Sequence, residues 1–153
     1  MIPELSMMTF MAMSLKPIFI DTGGLVATVY SSDHCHEVAA AYYRQLGPRV
    51  RVTTDLVVAE TVTWLRYKVG RDAALRMAEE LLTGEETGLW EIIRPGRLVF
   101  LEALVSLRKF ASTKLSWTDA VSFAVCRQRG LEEVFGFDQH FYLAGLVLVP
   151  GVA

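Results

Sequence analysis

Cysteine is scarce in this sequence, and long apolar runs are missing from it. The two cysteines, Cys35 and Cys126, are too few and too far apart for the disulfide framework of a small secreted protein, so a reducing, cytoplasmic location is expected. No apolar run reaches the roughly 18 residues of a membrane-spanning helix, and the longest, 143–153, is interrupted by glycine and proline. We therefore expect a soluble chain with no membrane partner.

The amino terminus also lacks the pattern of a secretory signal. Five of the six methionines lie in the first 13 residues, and the first basic residue, Lys16, comes only after this apolar stretch. We expect residues 1–16 to be a flexible extension, with Met13 as an alternative translation start, and residues 17–153 to form the folded domain.

Charged residues are few, at 21% of the chain against roughly 25% in soluble domains, whereas hydrophobic residues make up 52%. This mix excludes intrinsic disorder, and 153 residues suit one compact domain. The mean hydropathy of +0.34 predicts a sheet buried on both faces, an oligomer interface, or both. The net charge of −2 gives no overall basic signal for nucleic acid.

Short, uniformly apolar segments alternate with amphipathic helical segments along the chain. The pattern predicts strands at 17–20, 50–53, 90–93, 134–137 and 146–149, helices at 25–30, 33–46, 55–69, 72–82, 97–111 and 119–129, and a polar loop at 83–88. Apolar strands separated by helices are typical of a parallel sheet covered on both faces. We therefore predict a single α/β domain with a central parallel sheet of four or five strands and helices on both faces.

Four carboxylates stand out because their neighbours are apolar. Asp21 and Asp138 each follow a predicted strand directly. Asp119 opens an apolar helix, and Glu60 interrupts an apolar helical segment. In open α/β sheets, the carboxyl ends of the strands and the amino ends of the following helices meet at one edge, where ligands bind. A cluster of carboxylates there is typical of a site for a hard divalent cation, Mg²⁺ or Mn²⁺.

Each of these carboxylates also has a plainer interpretation. Asp21 is a turn former before two glycines, and Asp138 fits an Asx turn at the end of a strand. Asp119 completes a capping-box pattern with Ser116, and Glu60 is a solvated helix residue. Only their shared edge of the sheet favours the interpretation as an active site.

In four blocks the sequence resembles the PIN-domain family of metal-dependent ribonucleases, in particular the VapC-type toxins of toxin–antitoxin pairs. The blocks are IFIDTGGL with Asp21, TTDLVVAETVTWL with Glu60, LSWTDAVSFAVCRQRG with Asp119 and VFGFDQHF with Asp138. Their order and spacing carry the resemblance, which spans roughly 17–149. This chain has glycine at positions 23 and 136, where many relatives have a hydroxyl or amide side chain. Such side chains would help to hold the carboxylates of the site, and this chain lacks them.

The resemblance implies metal-dependent hydrolysis of RNA phosphodiester bonds by the toxin of a type II toxin–antitoxin pair. Asp21 and Asp119 are then the principal ligands of one or two Mg²⁺ or Mn²⁺ ions, with Glu60 and Asp138 completing the pocket. Such ions lower the pKa of a bound water and stabilise charge on the phosphorane oxygens. The implied partners are RNA and a VapB-like antitoxin, and the high apolar fraction predicts a homodimer.

Further residues are candidates for binding the substrate. They are Thr22, Ser116, Arg127, Arg129 and His140, with Arg66, Lys68 and Lys114 as additional phosphate contacts. If the four site acids are set aside, the net charge changes from −2 to +2, so RNA need not be repelled.

Other functions compete with this one. The Asp-Thr-Gly triplet at residues 21–23 is the one that aspartic proteases use, but those enzymes are all-β and this chain is rich in helical pattern. A catalytically silent PIN fold that serves as a binding module, or a PIN nuclease of RNA maturation, remains open. The His34-Cys35-His36 spacing splays the side chains on a helix start and does not favour zinc. Trp64, Trp117 and Phe123 are expected in the core.

Overall fold

Five short strands form one parallel sheet in the computed structural model, which describes residues 15–151; the predicted extension therefore lies almost wholly outside the described residues. The strands are β1 (Ile18–Ile20), β2 (Arg51–Thr54), β3 (Trp90–Ile93), β4 (Glu133–Phe135) and β5 (Val147–Val149). Their order is β3-β2-β1-β4-β5, and every neighbouring pair is parallel. The predicted parallel α/β domain is confirmed.

Helices connect the strands, as a parallel sheet requires. They are α1 (Thr22–Val29), α2 (His36–Gln45), α3 (Asp55–Lys68), α4 (Arg71–Thr87), α5 (Arg97–Lys109) and α6 (Trp117–Arg129), and a 3₁₀ helix, Gln139–Ala144, precedes β5. None of the helices within residues 15–151 has the length and apolarity needed to cross a bilayer.

The core lies around β1, the central strand, whose three residues have no exposed surface. Phe19 packs against Phe141 of the 3₁₀ helix, while Phe135 of β4 contacts Tyr42 and Tyr43 of α2. Complete burial of a strand requires cover on both faces of the sheet, which explains why its residues are uniformly apolar. The all-β fold of aspartic proteases is excluded by this architecture.

The strand order reverses between β1 and β4, and this point places the site. From β1 the chain builds outward through β2 and β3, and it then returns to add β4 and β5 on the other side. Ile20 is aligned with Phe135, so Asp21 and Gly136 follow at the same edge. Such a reversal opens a crevice at the carboxyl ends of the two strands.

The strand predicted at 134–137 ends earlier, at Phe135, so Asp138 does not follow it directly. Three other predicted boundaries are wrong for identifiable reasons. The segment 83–88, predicted as a loop, continues α4 to Thr87. A Cβ at Gly84 would lie 2.4 Å from Trp90 Cδ1, so this glycine allows α4 to pack closely against Trp90 and does not break the helix. The segment Thr22-Gly23-Gly24 is the first turn of α1, not a separate turn. Helix α2 starts at His36, since Asp33 Oδ1 accepts the Cys35 N–H at 2.7 Å in a preceding turn.

Candidate active site

Asp21 occupies the end of the central strand. Its backbone N–H donates to the Phe135 carbonyl at 3.0 Å, so the β1–β4 pairing fixes its position. Only 5% of the residue is exposed. A carboxyl group this buried is held in place by the sheet, and its charge must be compensated locally or lost.

Asp119 lies in the first turn of α6 and helps to cap that helix. Its backbone N–H donates to Ser116 Oγ at 3.0 Å, and its Oδ2 accepts the Ser116 N–H at 3.2 Å. The plainer interpretation of Asp119 as a capping residue is therefore confirmed. The capping box uses Oδ2 and fixes the orientation of the carboxylate, while Oδ1 lies outside this pair of hydrogen bonds.

Glu60 is exposed on α3 and reaches the same edge of the sheet. Thr22 Oγ1, at the start of α1, donates to Glu60 Oε2 at 2.9 Å. Thr22, which was expected to bind substrate, thus links α1 to α3 and orients a carboxylate. Glu60 is held by a side chain next to Asp21.

Asp138 caps the 3₁₀ helix after β4. Its Oδ1 accepts the His140 N–H at 2.9 Å, which is the Asx turn of the plainer interpretation. His140 Nδ1 lies 3.1 Å from Asp138 Oδ1 and 3.9 Å from Asp119 Oδ2. This nitrogen is buried, and no residue within 15–151 offers it a hydrogen bond. One ligand atom from each of Asp119, Asp138 and His140 fits within 4.8 Å of the others.

The carboxylates affect one another's protonation. Burial, the nearby Asp119 and, more weakly, Asp138 raise the pKa of Asp21 to about 7, although the N–H groups of Thr22 and Gly23 oppose the shift. Burial also raises the pKa of Asp119; the hydrogen bonds from Ser116 oppose this, and Asp138 and Glu60 add to it. The four acids therefore form one electrostatically coupled cluster, in which full ionisation is unfavourable without added positive charge.

The donor set of this cluster fits a hard divalent cation. All four acids offer oxygen atoms, the atoms that Mg²⁺ and Mn²⁺ prefer. Their mutual repulsion is also the condition that a bound cation relieves. A second group of possible metal ligands within residues 15–151, Asp33, His34 and Cys35, lies in the turn before α2. The neighbouring His36, which is not part of this group, contacts the Ala27 carbonyl through Nδ1 at 2.7 Å, so this nitrogen is already engaged.

Two predicted substrate-binding residues lie away from the cluster. Arg127 and Arg129 are at the carboxyl end of α6, about 12–15 Å along the helix from Asp119 at ~1.5 Å per residue. Arg127 pairs with Glu102, and Arg129 pairs with Glu91. The structure thus brings the four acids, Thr22, Ser116 and His140 together and leaves these arginines at the opposite end. Lys114 is exposed, two residues before the Ser116 cap.

Two residues that support the site, Thr53 and Gly24, could not be identified from the sequence pattern, and the structure explains the surroundings of Gly136. Thr53 Oγ1 of β2 donates to the Ile20 carbonyl at 2.8 Å, just before Asp21. A Cβ at Gly24 would lie 2.5 Å from the Phe135 oxygen, so this glycine lets α1 pack directly on β4. A Cβ at Gly136 would lie 3.1 Å from that of Asp21. The paired glycines after Asp21 were the available signal, but they fit a turn equally well.

The chain is similar to known proteins in both sequence and fold. The chain is 29% identical over 142 residues to the 23S rRNA-specific endonuclease VapC20 of Mycobacterium tuberculosis, covering 86% of this chain and 97% of that protein. The crystal structure of M. tuberculosis VapC20, described as a sarcin–ricin loop cleaving toxin, superposes with a TM-score of 0.77 at 28% identity, over 85% of this chain and 96% of that one.

Two more distant structures share the fold. FitAcB from Neisseria gonorrhoeae matches with a TM-score of 0.61 at 15% identity, over 86% of this chain and 95% of its own. A toxin–antitoxin complex from Klebsiella pneumoniae matches with a TM-score of 0.55 at 15% identity, over 89% and 95%. The model of the PIN domain matches residues 18–145, and the chain therefore belongs to the PIN-domain family.

Proposed function

We propose that this chain is a divalent-cation-dependent endoribonuclease and the toxin of a type II toxin–antitoxin pair. The observation that carries the proposal is the coupled cluster of four carboxylates at the reversal point of a PIN fold. The similarity to a 23S rRNA-specific endonuclease over nearly the whole length of both chains supports RNA as the substrate class. With RNA as the substrate, we expect the activity in the cytoplasm.

Asp21 and Asp119 are the residues that hold the cation most directly in this proposal, because they are the most buried and most rigidly oriented acids of the cluster. Glu60 and Asp138 complete the pocket. When bound, Mg²⁺ or Mn²⁺ supplies Lewis acidity for attack on a phosphodiester.

The remaining polar residues position these groups. Thr22 orients Glu60, and Ser116 orients Asp119. His140 places its buried Nδ1 beside Asp138 and Asp119, and the exposed part of its ring is the proposed contact with the substrate. The raised pKa of Asp21 means that the cation and a proton compete for this carboxyl group, so the affinity for the cation increases as the pH rises through about 7 and levels off above that value.

Two protein partners complete the proposal. A VapB-like antitoxin neutralises the toxin, as the resemblance to VapC-type toxins implies. A second copy of the chain covers apolar side chains that one copy leaves exposed along α5.

The experiment is cleavage of a defined RNA by the purified chain with Mg²⁺, with Mn²⁺ and with a chelator. We expect Asp21→Asn and Asp119→Asn to lower activity more than about 100-fold, because each removes a charge that faces the cation. Asp138→Asn should lower activity only about 10–100-fold, and added Mn²⁺ should restore part of the loss. The reason is that Asp138 is more exposed than Asp21 and Asp119, and Asn still accepts the His140 N–H.

Glu86→Gln is the matched control, because it neutralises an exposed acid of α4 that has no part in the cluster. Its activity should equal that of the wild type. Cleavage that resists the chelator, or full activity in both Asp21→Asn and Asp119→Asn, would contradict the proposal. Equal, Mn²⁺-insensitive loss in all three variants would show that Asp138 holds the cation as directly as the others.

A further inference from the structure

Positive charge is concentrated at the corner where α3 turns into α4. Residues 66–76 contain four of the chain's 15 basic residues and one of its 17 acidic residues. This segment therefore carries +3, while the rest of the chain carries −5 for the net charge of −2. We call Arg66, Tyr67, Lys68 and Arg71 the basic corner.

The cations of the basic corner are not neutralised within the protein. Within residues 15–151, no ion pair includes Arg66, Lys68 or Arg71. Of the phosphate contacts expected from the sequence, Arg127 and Arg129 are paired, whereas Arg66 and Lys68 are not. The side chains of all three cations are exposed. Unpaired surface cations remain available for a polyanion.

An aromatic ring stands among these cations. Tyr67 is 81% exposed, which is unusual for a large side chain in a well-packed domain. Beside it, a groove of about 390 Å³ has Val62, Ala74 and Leu75 in its lining and Arg66, Tyr67 and Arg71 at the basic side. An exposed ring and an apolar groove flanked by cations are what an unpaired nucleobase and its phosphates require.

The corner is connected to the acidic cluster by the geometry of α3. Glu60, Thr63 and Tyr67 follow the i, i+3, i+7 spacing of one helix face, and all three are exposed. The ring of Tyr67 therefore lies on the same stripe as Glu60, about 10 Å further along the axis at ~1.5 Å per residue. A strand whose scissile phosphate lies at the cluster can follow this stripe.

We propose that the basic corner binds single-stranded RNA along α3, beyond the cleavage site, with Tyr67 stacking on an unpaired base and Arg66 and Arg71 contacting phosphates. The inference rests on the proposed ribonuclease function and adds a binding surface to it. It also selects the substrate class, because a stacking ring needs a base that is free of a duplex. The complementary charge of RNA favours it over an apolar protein partner as the occupant.

The test measures binding of a fluorescein-labelled single-stranded RNA by anisotropy, in the Asp21→Asn chain so that the RNA stays intact. Tyr67→Ala should weaken binding about 10-fold, and Tyr67→Phe should keep the affinity because it keeps the ring. The Arg66→Gln, Arg71→Gln double variant should reduce the slope of log K against log salt concentration by about 0.7 per lost phosphate contact. For a duplex of the same sequence, the affinity of the Tyr67→Ala variant should equal that of the chain that keeps Tyr67.

Arg108→Gln, which removes an exposed cation from α5, is the matched control and should bind as the parent chain does. In the active chain, Tyr67→Ala should raise KM with little change in kcat, since the corner does not touch the reacting phosphate. Melting curves of each variant verify that the fold is kept.

The outcomes separate this inference from the proposed function. If the wild type cleaves RNA and the corner variants bind it unchanged, the corner has no role in RNA binding and only this inference fails. It also fails alone if Tyr67→Ala alters particle mass or antitoxin binding but not RNA affinity, because the corner is then a protein interface. If no chain binds or cleaves RNA, both fail together.

Discussion

The Asp21 carboxyl group illustrates how much a site residue can oppose the stability of the fold that carries it. Its pKa in the folded chain is about 7, mainly because of burial and the nearby Asp119, whereas the ordinary value is 3.8. A folded-state pKa above the unfolded value means that the folded chain binds this proton more tightly. The resulting stability is fully present below about pH 4 and is lost as the pH rises through 7.

We therefore expect the cation-free protein to become less stable between pH 5 and pH 8, by about 2–3 kcal/mol from this one group at ~1.4 kcal/mol per pH unit. Asp21→Asn should remove this loss of stability with increasing pH, because an amide does not titrate. In the wild type, added Mg²⁺ should make the loss smaller. Urea unfolding at a series of pH values, with and without chelator, measures all three. Identical pH slopes for wild type and Asp21→Asn would refute the assignment.

At the scale of elements, the contact between α1 and β4 controls where Asp21 lies. Gly24→Ala would place a Cβ 2.5 Å from the Phe135 oxygen, so α1 must move away from the sheet. We expect a loss of about 1–3 kcal/mol in the free energy of unfolding and weaker cation binding, because Asp21 directly precedes α1. Gly23→Ala is the control, since its Cβ would meet Asp21 Oδ2 at an ordinary 3.8 Å.

Gly23→Ala should be neutral or stabilising, because alanine favours helices over glycine by up to about 1 kcal/mol. Unfolding midpoints with and without Mg²⁺ give both quantities for the two variants. Equal effects of the two substitutions would mean that the close approach of α1 to β4 does not position the site.

The same elements show what a sequence can and cannot predict. The strand at Ile18–Ile20 and the Ser116 cap of α6 were predictable, because uniform apolarity and capping chemistry are local properties. Convergence of the four acids was predictable from the topology of parallel sheets. The functions of Gly24 and Gly84 were not, since each depends on how its helix packs against a strand, β4 for Gly24 and β3 for Gly84. The pairing of Arg127 with Glu102 could not be predicted either, because the two residues lie on different helices.

At the scale of the whole molecule, one helix remains apolar on the side that faces solvent. Val99 and Ala103 of α5 are buried, but Leu98, Leu101 and Val105 on its other side are exposed, with Leu98 at 77%. The i, i+3, i+7 spacing places these three on one stripe. A continuous apolar stripe of this kind is typical of a protein–protein contact, and it accounts for part of the high mean hydropathy.

We expect two copies of the chain to associate through this stripe, so that light scattering at high micromolar concentration gives about twice the monomer mass of 17.1 kDa. The double variant Leu98→Glu, Leu101→Glu should give monomers, because two charges on each copy would have to be buried against apolar side chains. Leu82→Glu, at an exposed leucine of α4, should leave the mass unchanged. A monodisperse monomer for the wild type, or a dimer that tolerates both glutamates, would place the contact elsewhere or remove it. Because the stripe lies on α5 and the carboxylates lie on other elements, the monomeric variant should retain its affinity for Mn²⁺.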